Sequence, residues 1–514
     1  MRMPFNSAWL RGCASALVPA ICNRRVGGAV SSVPASRTAT ASCRHGGAER
    51  GSVLIIVLWV SFGLVSLAIY FANSSSLELR AADNRLASIE AEQAIAGAAR
   101  YVSNVLATTT SPGMPPNPQT FVVENVSVGD ATFWLIGQSP DEENDLAVTF
   151  GLVDESSKLN LNTATAAMLD KLPRMTPELA AAVLDWRDSN SDVREGGAED
   201  ETYARLNPPY RCKNAPFESI TELRLVYGFT HDILFDEDAN LNAVLDQNEN
   251  DEDATLPADN HDGVLNRGVL AYVTVHSREP NTRTNGDPKV NVATVDTQAL
   301  QQLLSTAGIE TARAQEILRP FQAAGGLPTP PTPGGTTNLP PGGLPGVTNA
   351  GGLTNGSVLE FFLNSGMTEQ EFALVEADLT VSTNTFVEGL VNVNTATETV
   401  LTCIPGIGAE NAGALVAHRA QNTATTTASM AWVTQVLARS NAIQAGPFIT
   451  GHSYVYSADI AAVGRLGRGY QRVQFIFDTS EGGAKIRQRQ DLTHLGWALG
   501  PDVRRDLEAR REER

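Results

Sequence analysis

The sequence predicts an α+β protein: a transmembrane helix near the N-terminus, a small antiparallel sheet, and a large, mostly α-helical insert between strands of that sheet. Three observations predict it. A single uncharged apolar run, Val53 to Ala72, has no counterpart elsewhere in the 514 residues. β-favouring runs occur soon after it and again near the C-terminus. Between them, from about 154 to 450, a helix-forming segment recurs.

The apolar run comes first. Twenty residues at a rise of about 1.5 Å span roughly the 30 Å hydrocarbon core of a bilayer. The preceding segment, residues 1–51, carries seven Arg against one acid, Glu49. Positive flanks stay cytoplasmic, so the bulk of the chain is expected on the far side of the membrane. A cleaved signal peptide would have a shorter apolar core followed by a small-residue site. Here Gly51 precedes the run and Arg50 precedes the glycine. The expected order is a basic leader over 1–51, a membrane helix over 52–72 and its extension over 73–110. Leu77, Leu86, Ile89, Ile95 and Val102 recur at helical spacing along that extension.

Strands follow at Phe121–Val128, Ala131–Ile136 and Ala147–Leu152, giving a β region over 119–153. Strands return at Tyr454–Val463, Gln471–Phe477 and Lys485–Leu492, within 451–500, and a charged tail closes the chain at 501–514. The insert between them contains a repeat. Leu159-Asn160-Leu161-Asn162-Thr163-Ala164-Thr165 recurs as Val391-Asn392-Val393-Asn394-Thr395-Ala396-Thr397, in register through Arg187 and Arg419. A looser copy begins at Val290-Asn291-Val292-Ala293. Each copy reads as an extended start, a capping residue, a helix, a tight turn and a second helix. The copies are expected over 154–235, 286–324 and 357–450. An acidic loop over 236–268 and a Pro/Gly/Thr-rich linker over 325–356 separate them.

Net charge is −19, and without the seven Arg and one Glu of residues 1–51 it becomes −25. Such a surface repels nucleic acid and suits divalent cations or basic partners. Asp238, Asn240, Asn242, Asp246 and Glu249 fall at positions 1, 3, 5, 9 and 12 of a twelve-residue loop, the ligand spacing of an EF-hand. Asp188, Asn190, Asp192 and Glu199 occupy positions 1, 3, 5 and 12 of another, with Asp185 and Asp200 as spare carboxylates. Position six is Ala243 in one and Val193 in the other, where the sharp turn prefers Gly. Asn260-His261-Asp262-Gly263 is a weaker third stretch, with Ala258 at its first position. These loops point to structural Ca2+.

Beyond the leader the chain has two cysteines, Cys212 and Cys403. In an oxidising compartment they form a disulfide or stay as two thiols. No metalloprotease, nucleophile or phosphate-loop signature is present, so no enzymatic activity is expected. The turn Ile404-Pro405-Gly406-Ile407-Gly408 has a helix-hairpin-helix signature, which in other settings offers backbone N–H groups to DNA phosphates. Only His418 and Arg419 are basic nearby, so a structural hairpin is the better account and no nucleic acid is expected.

Arg50-Gly51 resembles the cleavage site of type IV prepilins and pseudopilins. The resemblance implies cutting by prepilin peptidase between Gly51 and Ser52, and a pilin-like fold of long helix and small sheet. Most pilin-like proteins carry Glu at the fifth mature residue, where it pairs with a neighbouring subunit's terminal amine; here it is Ile56. A carboxylate in lipid is costly unless paired, so a subunit with no neighbour above it lacks one. That absence, the segment Leu159–Arg187 with Trp186, and the runs Gly196–Tyr203, Asn207-Pro208-Pro209-Tyr210 and Phe217–Leu223 resemble the minor pseudopilin K family of type II secretion. The resemblance implies a pseudopilus-tip subunit anchored in the inner membrane with its bulk periplasmic, bound calcium, and partner minor pseudopilins of the I and J types. Two other readings stand beside it. One is a DNA-uptake or type IV pilus-like component using its hairpins. The other is an uncleaved membrane-anchored calcium-binding scaffold.

Overall fold

The computed structural model describes residues 50–108, 111–117, 121–138, 148–252, 254–294, 296–322, 355–422 and 429–512. The leader upstream of Arg50 lies outside them. The chain divides into two compact parts, Met1–Ser75 and Ser76–Arg514.

In the first part, the described residues are helical and belong to the helix Arg50–Thr108. Its large apolar side chains from Val53 to Phe71 are exposed. This helix is long and apolar enough to cross a membrane. No proline or charged residue interrupts the run, and a helix satisfies its own backbone groups, as lipid demands.

In the second part, the sheet has the strand order Val126–Val128, Ala131–Ile136, Val455–Val463, Gln471–Asp478 and Lys485–Asp491, all antiparallel. Val153–Asp154 pairs with the same central strand. Alternation sorts its side chains to two faces. Phe133 and Leu135 pack with Ala91, Ala94, Ile95, Ala98 and Val102 of the helix, and Trp134 and Ile136 pack on the opposite face with Leu499 and Leu507. The expected charged tail is therefore mostly a helix, Gly500–Glu512, that caps the sheet.

The packing stripe of the long helix also differs from expectation. Leu77, Leu86 and Ile89 are exposed, and the buried face is built largely of alanines. Small residues are needed because the chain comes close. A Cβ on Gly464 would lie 2.1 Å from the Ala87 carbonyl oxygen, and one on Gly469 would lie 2.4 Å from the Ala87 carbonyl carbon. A leucine at Ala87 could not be accommodated there.

Between Asp154 and Val455 the insert forms three lobes. Each opens with a two-residue strand paired in parallel with a two-residue strand that closes it. Leu159–Asn160 pairs with Val273–Thr274, Val290–Asn291 with Leu379–Thr380, and Val391–Asn392 with Ile449–Thr450. The asparagine of each opening strand turns the chain into its first helix. The Oδ1 atoms of Asn160, Asn291 and Asn392 accept from the backbone N–H two residues on, at 2.9, 2.8 and 2.9 Å. One apolar core runs through all three lobes.

This pairing corrects two boundaries. Residues 357–380 close the second lobe rather than opening the third: Phe361 stacks on Phe321 at 5.2 Å and Glu371 pairs with Arg313 at 2.8 Å. The Pro/Gly/Thr-rich stretch is thus inserted within the second lobe, and 323–354 lie outside the described residues. The acidic loop likewise lies inside the first lobe, ahead of its closing strand at Val273–Thr274.

Candidate functional site

Gly51, Ser52 and Ile56 lie in the helix Arg50–Thr108, with Ile56 exposed among apolar neighbours. The remaining predicted site residues lie in the first and third lobes.

The loop from Asp238 to Glu249 gathers its five predicted residues. Asp238 accepts from the backbone N–H groups of Asn242 and Ala243 at 3.0 and 3.1 Å. Glu249 accepts from Ala239 and Asp246 at 3.1 and 3.0 Å. The amides of Asn240 and Asn242 both donate to Asp246. Ala243, where glycine was expected, adopts a left-handed φ of 57°, and Leu241 one of 54°. The sharp turn therefore forms without glycine, at a cost in strain. Burial pushes the Glu249 carboxyl up to about 8, and the nearby Asp238 carboxylate adds to it. Burial likewise raises Asp238, opposed mainly by the Arg267 guanidinium 3.5 Å away. The weaker stretch takes similar turns: Asn260 accepts from Asp262 N–H at 2.9 Å, and Asp262 from Val264 N–H at 2.8 Å.

Sequence reasoning missed what holds this loop. Arg472, fully buried on the sheet, forms an ion pair with Asp459 and donates to the carbonyls of Asn240 and Leu241 at 2.5 and 2.9 Å. The side-chain amides of Asn240 and Asn242 reach the carbonyls of Trp497 and Ala498. The loop thereby ties the first lobe to the sheet and its C-terminal cap. Arg472 beside the apolar residues Val473, Phe475, Ile476 and Phe477 was the one available signal.

The loop from Asp188 to Glu199 is less complete. Arg194 bridges Asp185 and Asp188. Glu199 is buried, and neither carboxylate oxygen finds a hydrogen-bond partner within ordinary reach; the Cys212 thiol faces it. Burial raises its pKa, and the Asp185 and Asp188 carboxylates add to that. Asn190 and Asp192 are exposed, and Asp200 turns away to accept from Cys212 N–H at 2.9 Å. Arg194 thus joins Asp185 to Asp188, and the charges of both act on Glu199. Among the described residues, no set of three or more His, Cys, Asp or Glu side chains converges as a metal would require.

Of the two states open to the cysteines, the structure shows two thiols rather than a disulfide. Cys212 and Cys403 are separate, buried thiols. The Cys212 thiol donates to the Asp185 carbonyl in the first lobe and that of Cys403 to the Thr399 carbonyl in the third. Burial pushes them up to about 11 and about 12, away from thiolate reactivity.

The hairpin turn is packed. A Cβ on Gly406 would lie 2.4 Å from the Asn441 carbonyl oxygen, and the N–H groups of Ile407 and Gly408 both bond to the Ile404 carbonyl. Those groups are engaged within the protein rather than offered to a phosphate. In the first lobe the equivalent left-handed residue is Arg174, at φ 55°, and its guanidinium pairs with Asp236.

Residues 152–235, which form most of the first lobe and carry the Asp188–Glu199 loop, match the family model for the first domain of type II secretion system protein K. The chain is similar to type II secretion system protein K of Pectobacterium carotovorum subsp. carotovorum, 27% identical over 199 residues, which are 36% of this chain and 60% of that protein. The protein of the same name from Klebsiella pneumoniae is 39% identical over 56 residues, 11% of this chain and 17% of the relative. The chain therefore spans less than two thirds of either curated relative. The crystal structure of the GspK-GspI-GspJ complex from the enterotoxigenic Escherichia coli type 2 secretion system aligns at 10% identity and a TM-score of 0.31, over 83% of this chain and 99% of that one. The likeness of this chain to type II secretion system protein K thus rests on sequence, and the matched family domain lies in its first helical lobe.

Proposed function

We propose that this chain is a minor pseudopilin of a type II secretion system, a non-enzymatic subunit that caps the pseudopilus tip during protein export. The match of residues 152–235 to the protein K domain carries the reading. The single apolar helix behind Arg50-Gly51 supports it. In this reading prepilin peptidase cuts between Gly51 and Ser52. The apolar helix then anchors in the inner membrane with the bulk periplasmic, and Ile56 leaves the stem without a carboxylate for a further subunit. Minor pseudopilins of the I and J types are its partners, and the three lobes are too bulky to be stacked upon.

Calcium belongs to the same proposal. Asp238, Asn240, Asn242, Asp246 and Glu249 would hold one ion, and Asp188 and Glu199 with Asp185 another. The oxygen-only donor sets suit a hard cation. The buried Glu199 carboxylate, which makes no full hydrogen bond and has only the Cys212 thiol and the Asp200 N–H near it, fits such an ion, because a poorly satisfied buried charge is costly. Bound calcium would supply positive charge that neutralises these carboxylates.

The test is mass spectrometry of the mature N-terminus in the membrane fraction of cells that make prepilin peptidase. A chain starting at Ser52 is expected. A chain that retains Arg50-Gly51 would contradict cleavage and favour the uncleaved scaffold.

A further inference from the structure

A cavity of about 90 Å³ lies where the closing strands of the second and third lobes, Leu379–Thr380 and Ile449–Thr450, come together. That is several times the roughly 10–15 Å³ one water needs. Two buried carboxylates, Glu279 and Glu376, line it together with His452 and Lys289.

The two acids differ in how they are satisfied. Glu376 accepts from the Ser429 hydroxyl and from Met430 N–H at 3.1 Å, and His452 Nδ1 stands 4.0 Å away. Glu279 has the Thr450 hydroxyl for one partner, but its Oε1 is buried and accepts nothing. Lys289 lines the same cavity and its charge acts on Glu279, but it makes no ion pair within 4.0 Å among the described residues. Burial lowers the His452 pKa, which keeps its ring neutral and able to accept. A buried carboxylate oxygen left without a hydrogen-bond donor is destabilising. A donor that enters from outside would relieve that.

Val358, Leu379, Val387, Leu390, Met430 and Ile449 supply apolar walls. Such walls suit a methylene stem and leave a charged head for the acids. A donor of N–H bonds on an alkyl chain meets both requirements.

We propose that this cavity binds a primary alkylammonium group, with its ammonium at Glu279 Oε1 and its alkyl chain along the apolar wall. A lysine side chain of a partner protein and a free alkylamine share this chemistry. The proposal is independent of the secretion reading and of the calcium loops.

The probe is n-butylammonium chloride with the purified full chain in detergent, compared with potassium chloride and 1-butanol at equal concentration. Saturation-transfer NMR is expected to show butyl protons in contact with the wild-type protein, and the melting midpoint is expected to rise by a few degrees. Glu279→Gln should abolish both effects. Val387→Phe, which narrows the cavity and leaves both acids in place, should abolish them too. Displacement of the probe by acetyl-Gly-Lys-Gly-amide, but not by its Nε-acetyl form, would assign the site to a protein lysine. Butylammonium binding without peptide displacement would assign it to a free amine. No saturation transfer in the wild type, or equal transfer in both variants, would overturn the proposal.

Discussion

Asp154 sits where the helical insert leaves the sheet, and its carboxylate gathers the surrounding chain. It accepts from the Ser453 and Thr395 hydroxyls, the Asn392 amide at 3.2 Å and Ser156 N–H at 2.8 Å. These donors come from both ends of the insert and from its third lobe. Asp154→Ala leaves several buried donors without an acceptor and should cost about 3 kcal/mol in urea unfolding of the detergent-solubilised chain. A loss under about 1 kcal/mol would contradict this role. Burial raises the Asp154 pKa to about 6 despite the four donors. The folded protein therefore binds this proton more tightly than the unfolded chain, whose Asp titrates near ~3.9. Stability from this group is present at low pH and falls as pH rises from about 4 to 6. Comparison of wild type with Asp154→Asn across that window should show the slope disappear.

Paired arginines show what the repeat conserves within the chain. Arg187 donates to the carbonyls of Leu161 and Ala164, and Arg419 to those of Val393 and Ala396. In the second lobe that register holds Leu318, which is buried, and Asn355 donates to the Val292 carbonyl instead, at 2.9 Å. The matching positions of Arg187 and Arg419 were legible in the sequence. The replacement by Asn355 was not, because it arrives from across the Pro/Gly/Thr-rich stretch.

At the scale of elements, the long helix meets the sheet through small side chains. Ala98→Leu should overpack this contact and cost about 1–3 kcal/mol, whereas Leu86→Ala on the exposed face should change stability by less than about 0.5 kcal/mol. Equal effects in chemical denaturation would place the packing stripe elsewhere. The membrane run and the long C-terminal strands were legible from apolar length and from part alternation of residue type. The alanine stripe was not, since leucine and isoleucine dominate a periodicity count wherever they point. The lobe-closing strands were also hidden. Two residues carry no period, and Val290 finds its partner Leu379 only by folding across a long intervening segment. The ligand spacing of Asp238–Glu249 was readable because it is local; Arg472 acts on that loop from a distant strand.

For the whole molecule, the consequence of so many carboxylates is a dependence on cations and pH. With chelator present, Glu249 holds its proton up to about 8 in the folded state, against about 4.3 in an unfolded chain. Its raised pKa means that stability is lost as pH rises through that window. The chelated protein should melt progressively lower from pH 5 to pH 8, and calcium should flatten the trend by neutralising Asp238, Asp246 and Glu249. An identical pH profile with calcium and with chelator would remove the calcium proposal.

The central claim is that this chain assembles at a pseudopilus tip. The most direct measurement is co-purification of a soluble form starting near residue 75 with the ectodomains of two minor pseudopilins, of the I and J types, from the same cell, in calcium. The account predicts a single complex of one copy each by size-exclusion chromatography with light scattering. Three separately eluting proteins under those conditions would contradict it.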